Sequence, residues 1–475
     1  MCGIVGYVGA QQAAPILLEG LQKLEYRGYD SAGIAVLDGS TIELAKACGE
    51  IKNLLAKTHD GSDLHGYIGL GHTRWATHGA PTEANAHPHV SNDGKFAIVQ
   101  NGIIENFMEL REMLQAKGFR FHSETDTEVI VHLLDMYYTG DGNLKDTVMK
   151  TLGRLEGSYA IGILCADCPE QMFLARNGCP LIIGVGAGEN FFASDVTALV
   201  SHTKNVVYLD DGELAEVRAD GYTVFDCTGK PIEKPVSRVA WDIEAAEKGG
   251  YEHFMLKEIM EQPRAIKSTL DPRVKDHRVV FDELKMTDAQ LMGFNKIMIT
   301  ACGSAFYAGQ AGKYALEKLT HIPVDADLAS EFRYRDPIVD EHTLMIIISQ
   351  SGETADTIAA IREAQSKGAY VLSIVNVVGS TIARISDDVI YTWAGPEIAV
   401  ATTKGYTTQV SVLYLLALYL GEKRGCLSRE EAAKLTDDLM ILPQMVQRAI
   451  DLNPQIAQLA ERYKNNPSLS AWRGL

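Results

Sequence analysis

Apolar and polar residues follow two different rhythms along the chain. Up to about residue 220, short β-like runs are separated by glycine-rich turns, for example at residues 4–8, 96–99 and 159–164. Amphipathic segments with helical spacing interrupt these runs, notably at residues 16–24 and 127–136. The pattern predicts an α+β domain in which two antiparallel sheets carry helices on their outer faces.

The rhythm changes near residue 296, where apolar strands begin to alternate with helices. Nearly continuous apolar strands that alternate with helices predict a doubly wound α/β domain with a parallel sheet. A charged helix over residues 429–440 and a helical segment over 443–463 follow. The strand-like segments lie at residues 297–300, 343–348, 369–375 and 388–391.

These rhythms give the expected domain organisation. The linker prediction depends on a polar stretch after residue 220 that contains Gly229-Lys230-Pro231 and a Gly-Gly pair. We predict a first domain over residues 2–220, a linker and helix over 221–285, a second domain over 286–427 and a helical extension over 428–475.

Composition narrows the class of protein. The 475 residues are 46% hydrophobic, and 44 basic against 62 acidic residues give a formal net charge of −18. This acidic balance argues against non-specific nucleic-acid binding. The longest apolar stretch, residues 410–420, is shorter than the roughly 20 residues of a membrane span, so we expect no membrane association.

Cysteine usage indicates the compartment. The N-terminus lacks the pattern of an export signal, and the eight cysteines are scattered without the spacing of a disulfide framework. We therefore expect a reducing, cytoplasmic compartment. Cys165 and Cys168 form a single CxxC pattern without a second pair, which favours core packing over a metal site.

Cys2 is the first candidate for catalysis. Removal of Met1 would place a free α-amino group, with a pKa near ~7.7–8.0, on the same residue as the thiol. Such an amine can act as the general base for its own nucleophile. An inert buried thiol at the start of a strand is the alternative interpretation of Cys2 taken alone.

Four further segments combine charge, glycine and hydroxyl groups near the ends of β runs. They are residues 27–33, 71–79, 101–102 and 123–128. Each could be a turn or a helix cap when taken singly. In this order behind Cys2, however, they resemble the class II glutamine amidotransferase domain, which implies an N-terminal-nucleophile fold.

That resemblance implies a glutaminase in which the Cys2 thiolate, after removal of Met1, attacks the side-chain amide of L-glutamine. The Asn101 side chain and the Gly102 backbone N–H would form the oxyanion hole, where one donor is worth ~10²–10³ in rate. The other implied residues bind glutamine (Arg74, Thr77, His78 and Asp126), gate the release of ammonia (Trp75) or support the nucleophile (Arg27).

The second domain contains a turn suited to an anion. A β run ends at Ser349-Gln350-Ser351-Gly352, and a predicted helix follows from Thr354. Hydroxyls and N–H groups at a helix start can surround a phosphate, although an ordinary N-cap has the same sequence. The run that ends at Cys302-Gly303-Ser304 repeats this layout, and two such strand ends would form a ligand crevice.

Together with residues 397–404, these turns resemble the SIS domain of the glutamine–fructose-6-phosphate aminotransferase (glucosamine-6-phosphate synthase) family. The resemblance implies that ammonia from L-glutamine converts fructose 6-phosphate into glucosamine 6-phosphate, the first step towards UDP-N-acetylglucosamine. It also implies a homodimer that uses no metal and no organic cofactor. The implied sugar-phosphate contacts are Ser304, Ser349, Gln350, Ser351, Thr354 and Thr402.

The sequence departs from that family in two ways. Many members carry Cys-Gly-Thr-Ser where this chain has Cys302-Gly303-Ser304-Ala305, so one hydroxyl is missing. The family also has a second SIS domain, with a lysine for ring opening and a glutamate base for isomerisation, and the sequence reaches Leu475 before it. We therefore expect this chain to hydrolyse glutamine but to make little or no amino sugar.

Two other functions stay open from the sequence. One is a sugar-phosphate sensor with an inert first domain, although a sensor needs neither Cys2 nor Arg74 and Asn101. The other is a different class II amidotransferase, such as the amidophosphoribosyltransferase of purine synthesis. That enzyme needs a phosphoribosyl-pyrophosphate loop with paired acids, where this chain has Ser349-Gln350-Ser351.

Overall fold

The computed structural model of the chain describes residues 2–25, 30–76, 79–140, 143–239 and 249–466. It divides into two compact units, Met1–Ile243 and Glu244–Leu475. Within the described ranges, no helix is both long enough and apolar enough to cross a membrane.

The first unit contains two antiparallel sheets. Its strands are β1 (Gly3–Val8), β2 (Ser31–Asp38), β3 (Thr41–Cys48), β4 (Ile68–Arg74), β5 (His89–Val90), β6 (Phe96–Ile104), β7 (Gly157–Cys165), β8 (Gln171–Asn177), β9 (Ile182–Val185), β10 (Asn190–Ala193), β11 (Asn205–Tyr208), β12 (Leu214–Arg218), β13 (Gly221–Phe225), β14 (Pro231–Ile232) and β15 (Ser237–Arg238). The eight-stranded sheet has the order β15-β11-β9-β10-β1-β4-β2-β3, and the seven-stranded sheet has the order β14-β13-β12-β8-β7-β6-β5.

The helices of this unit cover the outer faces of the two sheets. They are α1 (Ala13–Leu24), α2 (Ile51–Lys57), α3 (Phe107–Ala116), α4 (Glu128–Tyr137) and α5 (Leu144–Leu152).

Three buried clusters show how these layers stack. Leu17 of α1 belongs to the cluster on the outer face of the eight-stranded sheet, and Leu134 of α4 to the cluster on the outer face of the other sheet. Between the sheets, Ile4 and Leu70 share a third cluster with Val99. The unit is therefore a four-layer α/β/β/α arrangement, and the predicted pair of antiparallel sheets is confirmed.

The stretch after residue 220 differs from the predicted linker. Gly221–Phe225 pairs antiparallel with β12, and Val224 pairs with Ile232 in the next strand. Val224 is buried between the two sheets, so this segment extends the first unit. Gly229, with φ of +81°, lies in the turn between β13 and β14. The Gly-Lys-Pro sequence that indicated a linker is thus a hairpin turn.

The second unit is built on a parallel sheet. The strands of this unit are β16 (Val274–Lys275), β17 (Arg278–Val279), β18 (Lys296–Ala301), β19 (Val324–Leu328), β20 (Thr343–Ser349), β21 (Tyr370–Val375) and β22 (Asp388–Tyr391). β16 and β17 form a separate antiparallel pair. Its helices are α6 (Phe254–Leu270), α7 (Asp288–Gly293), α8 (Gly303–Thr320), α9 (Ala329–Phe332), α10 (Ala355–Ser366), α11 (Thr381–Ile385), α12 (Lys404–Lys423), α13 (Arg429–Met440), α14 (Leu442–Ile450) and α15 (Asn453–Tyr463).

The main sheet of this unit has the order β19-β18-β20-β21-β22, and every neighbouring pair in it is parallel. Alternate residues of one strand enter different cores. Ile346 faces the cluster that contains α6 and α12, whereas Met345 faces the cluster that contains α10. Helices on both faces confirm the doubly wound α/β prediction. From β18 the chain continues to β19 on one side of the sheet, and from β20 it continues to β21 and β22 on the other side. The carboxyl ends of β18 and β20 therefore border the expected crevice.

The last predicted helical segment, residues 443–463, is divided in two. α14 ends at Ile450, and α15 begins at Asn453 with Pro454 in its first turn. Proline has no N–H to donate and fits the first turn of a helix, so it starts a new helix here instead of continuing the old one.

Candidate functional site

Cys2 lies directly before β1, in the middle of the eight-stranded sheet. Its Sγ accepts a hydrogen bond from the Trp75 backbone N–H at 3.3 Å. Burial raises the pKa of the Cys2 thiol, while the Trp75 N–H and the positive charge of Arg74 act against that increase. The thiol is therefore protonated at neutral pH unless a base removes its proton.

Asn101 lies on β6 of the seven-stranded sheet and contacts this cysteine. Its Nδ2 donates to the carbonyl oxygen of Cys2 at 3.1 Å, and its Oδ1 lies 3.1 Å from Nε2 of His72. The next residue, Gly102, has φ of +116°, and a Cβ on it would lie 2.1 Å from the Ser158 carbonyl oxygen. Only glycine fits this backbone without strain.

Arg74 and Asp126 are buried polar residues of the same unit. Arg74 ends β4, and its two terminal nitrogens donate to the carbonyl oxygens of Gly79 and Ala80 at 3.2 and 3.3 Å. Asp126 accepts the Ile104 backbone N–H at 2.8 Å. These contacts hold both charged groups in fixed positions.

The structure thus places Cys2 in direct contact with Trp75 and with Asn101. It also places the Arg74 charge close enough to affect the thiol. Trp75 is 45% exposed. Arg27, Thr77 and His78 lie outside the described residues.

Asp30 is a site residue that the sequence reasoning missed. It accepts hydrogen bonds from the backbone N–H of Ala76 and from the Ser31 hydroxyl, and so fastens the segment that follows Arg74. Its negative charge also raises the pKa of Cys2. The signal was an acid in the glycine-rich turn at residues 27–33, which is where a fixed charge would be needed.

A row of buried histidines lies behind Asn101 and was not predicted either. His72 stacks on His87 with ring centroids 4.1 Å apart, and His87 meets His89 edge-on at 4.7 Å. Burial lowers the pKa of His72 to about 3 and holds the pKa of the other two well below the usual value. All three imidazoles are therefore neutral at pH 7.

The second unit has a cavity of about 210 Å³ at the crevice between β18 and β20. This is smaller than the ~300–1,000 Å³ typical of pockets for drug-sized ligands, and it suits a small metabolite. The structure brings all six predicted sugar-phosphate contacts to the wall of this cavity: Ser304, Ser349, Gln350, Ser351, Thr354 and Thr402.

The turn after β20 is organised by its own hydroxyls. Ser349 Oγ accepts the Gly352 N–H at 3.0 Å and lies 3.4 Å from the Thr354 hydroxyl. Ser351 Oγ accepts the Glu353 N–H at 3.3 Å. Because the Ser351 oxygen acts as an acceptor inside the turn, its hydrogen is available to donate to an anion. In the contact between Ser349 and Thr354 one hydroxyl donates to the other, so one of these two hydrogens is also available.

Glu397 holds the other wall of the cavity. Its carboxylate accepts the Thr402 hydroxyl at 2.6 Å and the backbone N–H groups of Thr403 and Gly405 at 2.8 and 2.9 Å. The Thr402 hydrogen is therefore already committed. Its oxygen can only accept, which suits a sugar hydroxyl better than a phosphate oxygen.

Gln409 also lines this cavity and was missed. The residue is 2% exposed, and its Oε1 has no hydrogen-bond partner among the described residues. The available signal was an amide just before the apolar stretch of residues 410–420, inside a helix that had to be buried. In the described part of the chain, no group of three or more histidine, cysteine or acidic side chains could hold a metal.

Two family models match the two units separately. A glutamine amidotransferase domain model matches residues 46–234, and a SIS domain model matches residues 290–419. The C-terminal domain of glucosamine-fructose-6-phosphate aminotransferase from Francisella tularensis is 37% identical over 46% of this chain and 62% of that chain, with a TM-score of 0.45.

Two curated relatives match almost the whole chain. Glutamine–fructose-6-phosphate aminotransferase [isomerizing] of Caldanaerobacter subterraneus subsp. tengcongensis is 52% identical over 98% of this chain and 76% of the relative. The protein with the same name in Clostridium tetani is 50% identical over 97% of this chain and 76% of the relative. The chain therefore belongs to the glutamine–fructose-6-phosphate aminotransferase family.

Proposed function

We propose that the chain is a glutamine-dependent aminotransferase acting on fructose 6-phosphate, with Cys2 as the nucleophile that releases ammonia from L-glutamine. The contact of Cys2 with the Trp75 N–H and the Asn101 amide is the observation that carries this proposal. The Trp75 N–H meets the Cys2 thiol itself, and the Asn101 amide meets the backbone carbonyl of the same residue. A nucleophile with fixed hydrogen-bond donors beside it has the arrangement that acyl transfer requires.

In the glutaminase half-reaction, removal of Met1 exposes the α-amine of Cys2. That amine takes the thiol proton, and the thiolate adds to the amide carbon of glutamine. The Nδ2 of Asn101 and the N–H of Gly102 then stabilise the oxyanion. When the C–N bond breaks, the α-ammonium returns its proton to the departing amide nitrogen, which leaves as ammonia. Water hydrolyses the thioester to give glutamate.

Substrate recognition in this half-reaction is assigned by charge. Arg74 would bind the α-carboxylate of glutamine through parallel N–H···O bonds, and Asp126 would bind the α-ammonium. Thr77, His78 and Arg27 are proposed to line or support the same pocket, with Trp75 gating the exit of ammonia.

In the second unit, the turn from Ser349 to Thr354 is proposed to bind the phosphate of fructose 6-phosphate. The donors there are hydroxyls and the N–H groups in the first turn of α10, where the N-cap Thr354 makes no side-chain cap hydrogen bond. This combination favours an anion. Ser304 and Gln350 would complete this shell. Thr402, whose oxygen can only accept, would meet a hydroxyl of the sugar.

We also propose a homodimer in a cytoplasmic, reducing compartment. All eight cysteines are free thiols in the structure, which supports a reducing environment. The homodimer is an expectation from the family, and sedimentation equilibrium of the purified chain would test it.

The first experiment measures glutamate and glucosamine 6-phosphate formed from glutamine by the purified chain, with and without fructose 6-phosphate. Cys2→Ala is the test variant, and Cys227→Ala, at an exposed cysteine, is its control. Loss of glutamate release in Cys2→Ala alone supports the proposal. Equal release by Cys2→Ala and the unaltered chain would overturn it. Intact-mass analysis of the same samples reports whether Met1 is removed.

A further inference from the structure

We propose that His72 is a positioning residue for the glutaminase reaction, because it fixes the amide of Asn101 with Nδ2 towards the reacting centre. This inference rests on the proposed function of Cys2 and Asn101. It extends that function to a side chain that would not itself touch glutamine.

The hydrogen bonds of His72 define its protonation. Its Nε2 lies 3.1 Å from both Asn101 Oδ1 and the backbone carbonyl oxygen of Gln100. Both partners are acceptors, so Nε2 must carry the hydrogen. Nδ1 has no hydrogen-bond partner among the described residues, which is consistent with the neutral tautomer that is protonated at Nε2 alone.

Burial secures this neutral state. His72 is fully buried, stacks on His87 and lies near the positive charge of Arg74. Desolvation lowers its pKa to about 3, so it stays neutral throughout the range in which a glutaminase works. It can therefore donate to Asn101 without placing a second positive charge beside the pocket.

The Nε2–H of His72 discriminates between the two orientations of the Asn101 amide. In the observed orientation, Oδ1 accepts from His72 and Nδ2 donates to the Cys2 carbonyl. Turning the amide over would bring Nδ2 against the Nε2–H and Oδ1 against the carbonyl oxygen of Cys2. A donor would then face a donor, and an acceptor would face an acceptor, in a buried site. Both pairs lose their hydrogen bond, which strongly disfavours that orientation.

This role predicts a specific kinetic effect. The oxyanion forms only as the reaction proceeds, so a misoriented Asn101 weakens the transition state and leaves substrate binding unchanged. Loss of His72 should therefore lower kcat for glutamine hydrolysis with little change in KM.

The test uses His72→Phe, which keeps a flat ring against His87 and removes the N–H donor. The matched control is His89→Phe, which alters a histidine of the same buried row that contacts Thr125. Asn101→Ala and the double variant His72→Phe with Asn101→Ala complete a cycle. All variants are compared for glutamine kinetics, for alkylation of Cys2 by iodoacetamide, and for binding of L-glutamate and of the aldehyde glutamate γ-semialdehyde.

We expect His72→Phe to lower kcat by about 10-fold or more. The upper limit is the ~10²–10³-fold loss that is caused by removing an oxyanion donor. The double variant should match Asn101→Ala, because His72 acts only through Asn101. Binding of the aldehyde, which forms a tetrahedral adduct with Cys2, should weaken in parallel with kcat. Glutamate binding and alkylation should stay as in the unaltered chain, and His89→Phe should keep its kcat.

The outcomes separate this inference from the function on which it rests. If Asn101→Ala loses activity but His72→Phe does not, the inference alone is wrong. It is also wrong if the two losses multiply in the double variant, or if His89→Phe loses as much as His72→Phe. If the unaltered chain releases no glutamate, the proposed function is wrong and the inference falls with it.

Discussion

The two units build their candidate sites from different materials. In the first unit, the groups around Cys2 are charged, amide and imidazole side chains on antiparallel strands, and burial changes the pKa of several of them. In the second unit, the polar groups that line the cavity are mainly hydroxyls and two amides, with a turn before a helix, at the ends of parallel strands.

This difference corresponds to two kinds of task. Breaking an amide bond requires a nucleophile whose proton can be removed and donors fixed where charge develops, so a buried and rigid sheet is suitable. Holding a phosphate requires only N–H and O–H donors that converge on one point, which a strand-to-helix turn supplies. If each unit carries out one of these tasks, substitutions in one unit should change its own task and leave the other task intact.

The largest effect is expected from Cys2→Ala. Without the nucleophile, we expect glutamate release to fall by about 10³-fold or more. Calorimetric titration with fructose 6-phosphate should give the same affinity as the unaltered chain, because Cys2 belongs to the first unit. A large loss of sugar-phosphate affinity in this variant would break the comparison between the units.

A somewhat smaller loss is expected from Gly102→Ala. The added Cβ would meet the Ser158 carbonyl oxygen at 2.1 Å, so the backbone must move and carry the proposed oxyanion N–H with it. We expect kcat to fall by about 10²-fold, in the range for loss of one oxyanion donor. Gly94→Ala is the control, since Gly94 also has positive φ (+75°) but no atom within 4 Å of the added Cβ. Equal kcat values in the two variants would contradict the assignment of Gly102.

The corresponding test in the second unit is Ser349→Ala. A hydrogen bond to a charged group is worth about 1.5–3 kcal/mol, so the Kd for fructose 6-phosphate should rise by about 10- to 100-fold. Glutamine hydrolysis in the absence of the sugar should not change. Ser366→Ala, at an exposed hydroxyl of α10, should leave both measurements unaltered. An unchanged Kd in Ser349→Ala would remove the turn from the proposed phosphate site.

The smallest effect concerns stability and pH. His72 has a folded-state pKa of about 3 against an ordinary value of 6.5, so the unfolded chain binds more protons between these values. Stability of the first unit should therefore fall as the pH drops below 6.5. His72 alone should contribute about 2 kcal/mol of this loss by pH 5. In the second unit, Asp437 raises the pKa of the exposed His277. Protonation of this imidazole therefore favours the folded state as the pH drops, which is the opposite of the effect of His72.

Hydrogen exchange measured separately for β1–β4 and β18–β20, at pH 7 and pH 5, would test this difference. Protection of the first unit should decrease more steeply in the unaltered chain than in His72→Phe. Equal slopes in the two proteins would show that the imidazole is not kept neutral by burial.

Strong local patterns made much of the fold predictable. The apolar run over residues 343–348 predicted a buried parallel strand because both of its faces enter a core. The edge strand β19 was missed, since its partly exposed residues include the charged side chains of Asp325 and Asp327. β13 was missed because Gly229 in its turn was interpreted as part of a linker.

The candidate sites divide in the same way. The hydroxyls near Ser349 are adjacent in sequence, so a sugar-phosphate turn could be proposed from the sequence alone. The bond between His72 and Asn101 joins β4 to β6, which belong to different sheets. Such a contact depends on how the two sheets face each other, and no local pattern in the sequence encodes that arrangement.

The separation of Cys2 and Asn101 onto two sheets has a further consequence. The distance between nucleophile and oxyanion donor is set by the thickness of the packed layer between the sheets, where residues such as Ile4 and Val99 meet. Methyl groups that never approach glutamine thus determine the width of the catalytic gap. In this unit, the packing of the core sets the separation of the catalytic groups at its edge. Selection for turnover would therefore also act on the volumes of buried aliphatic side chains.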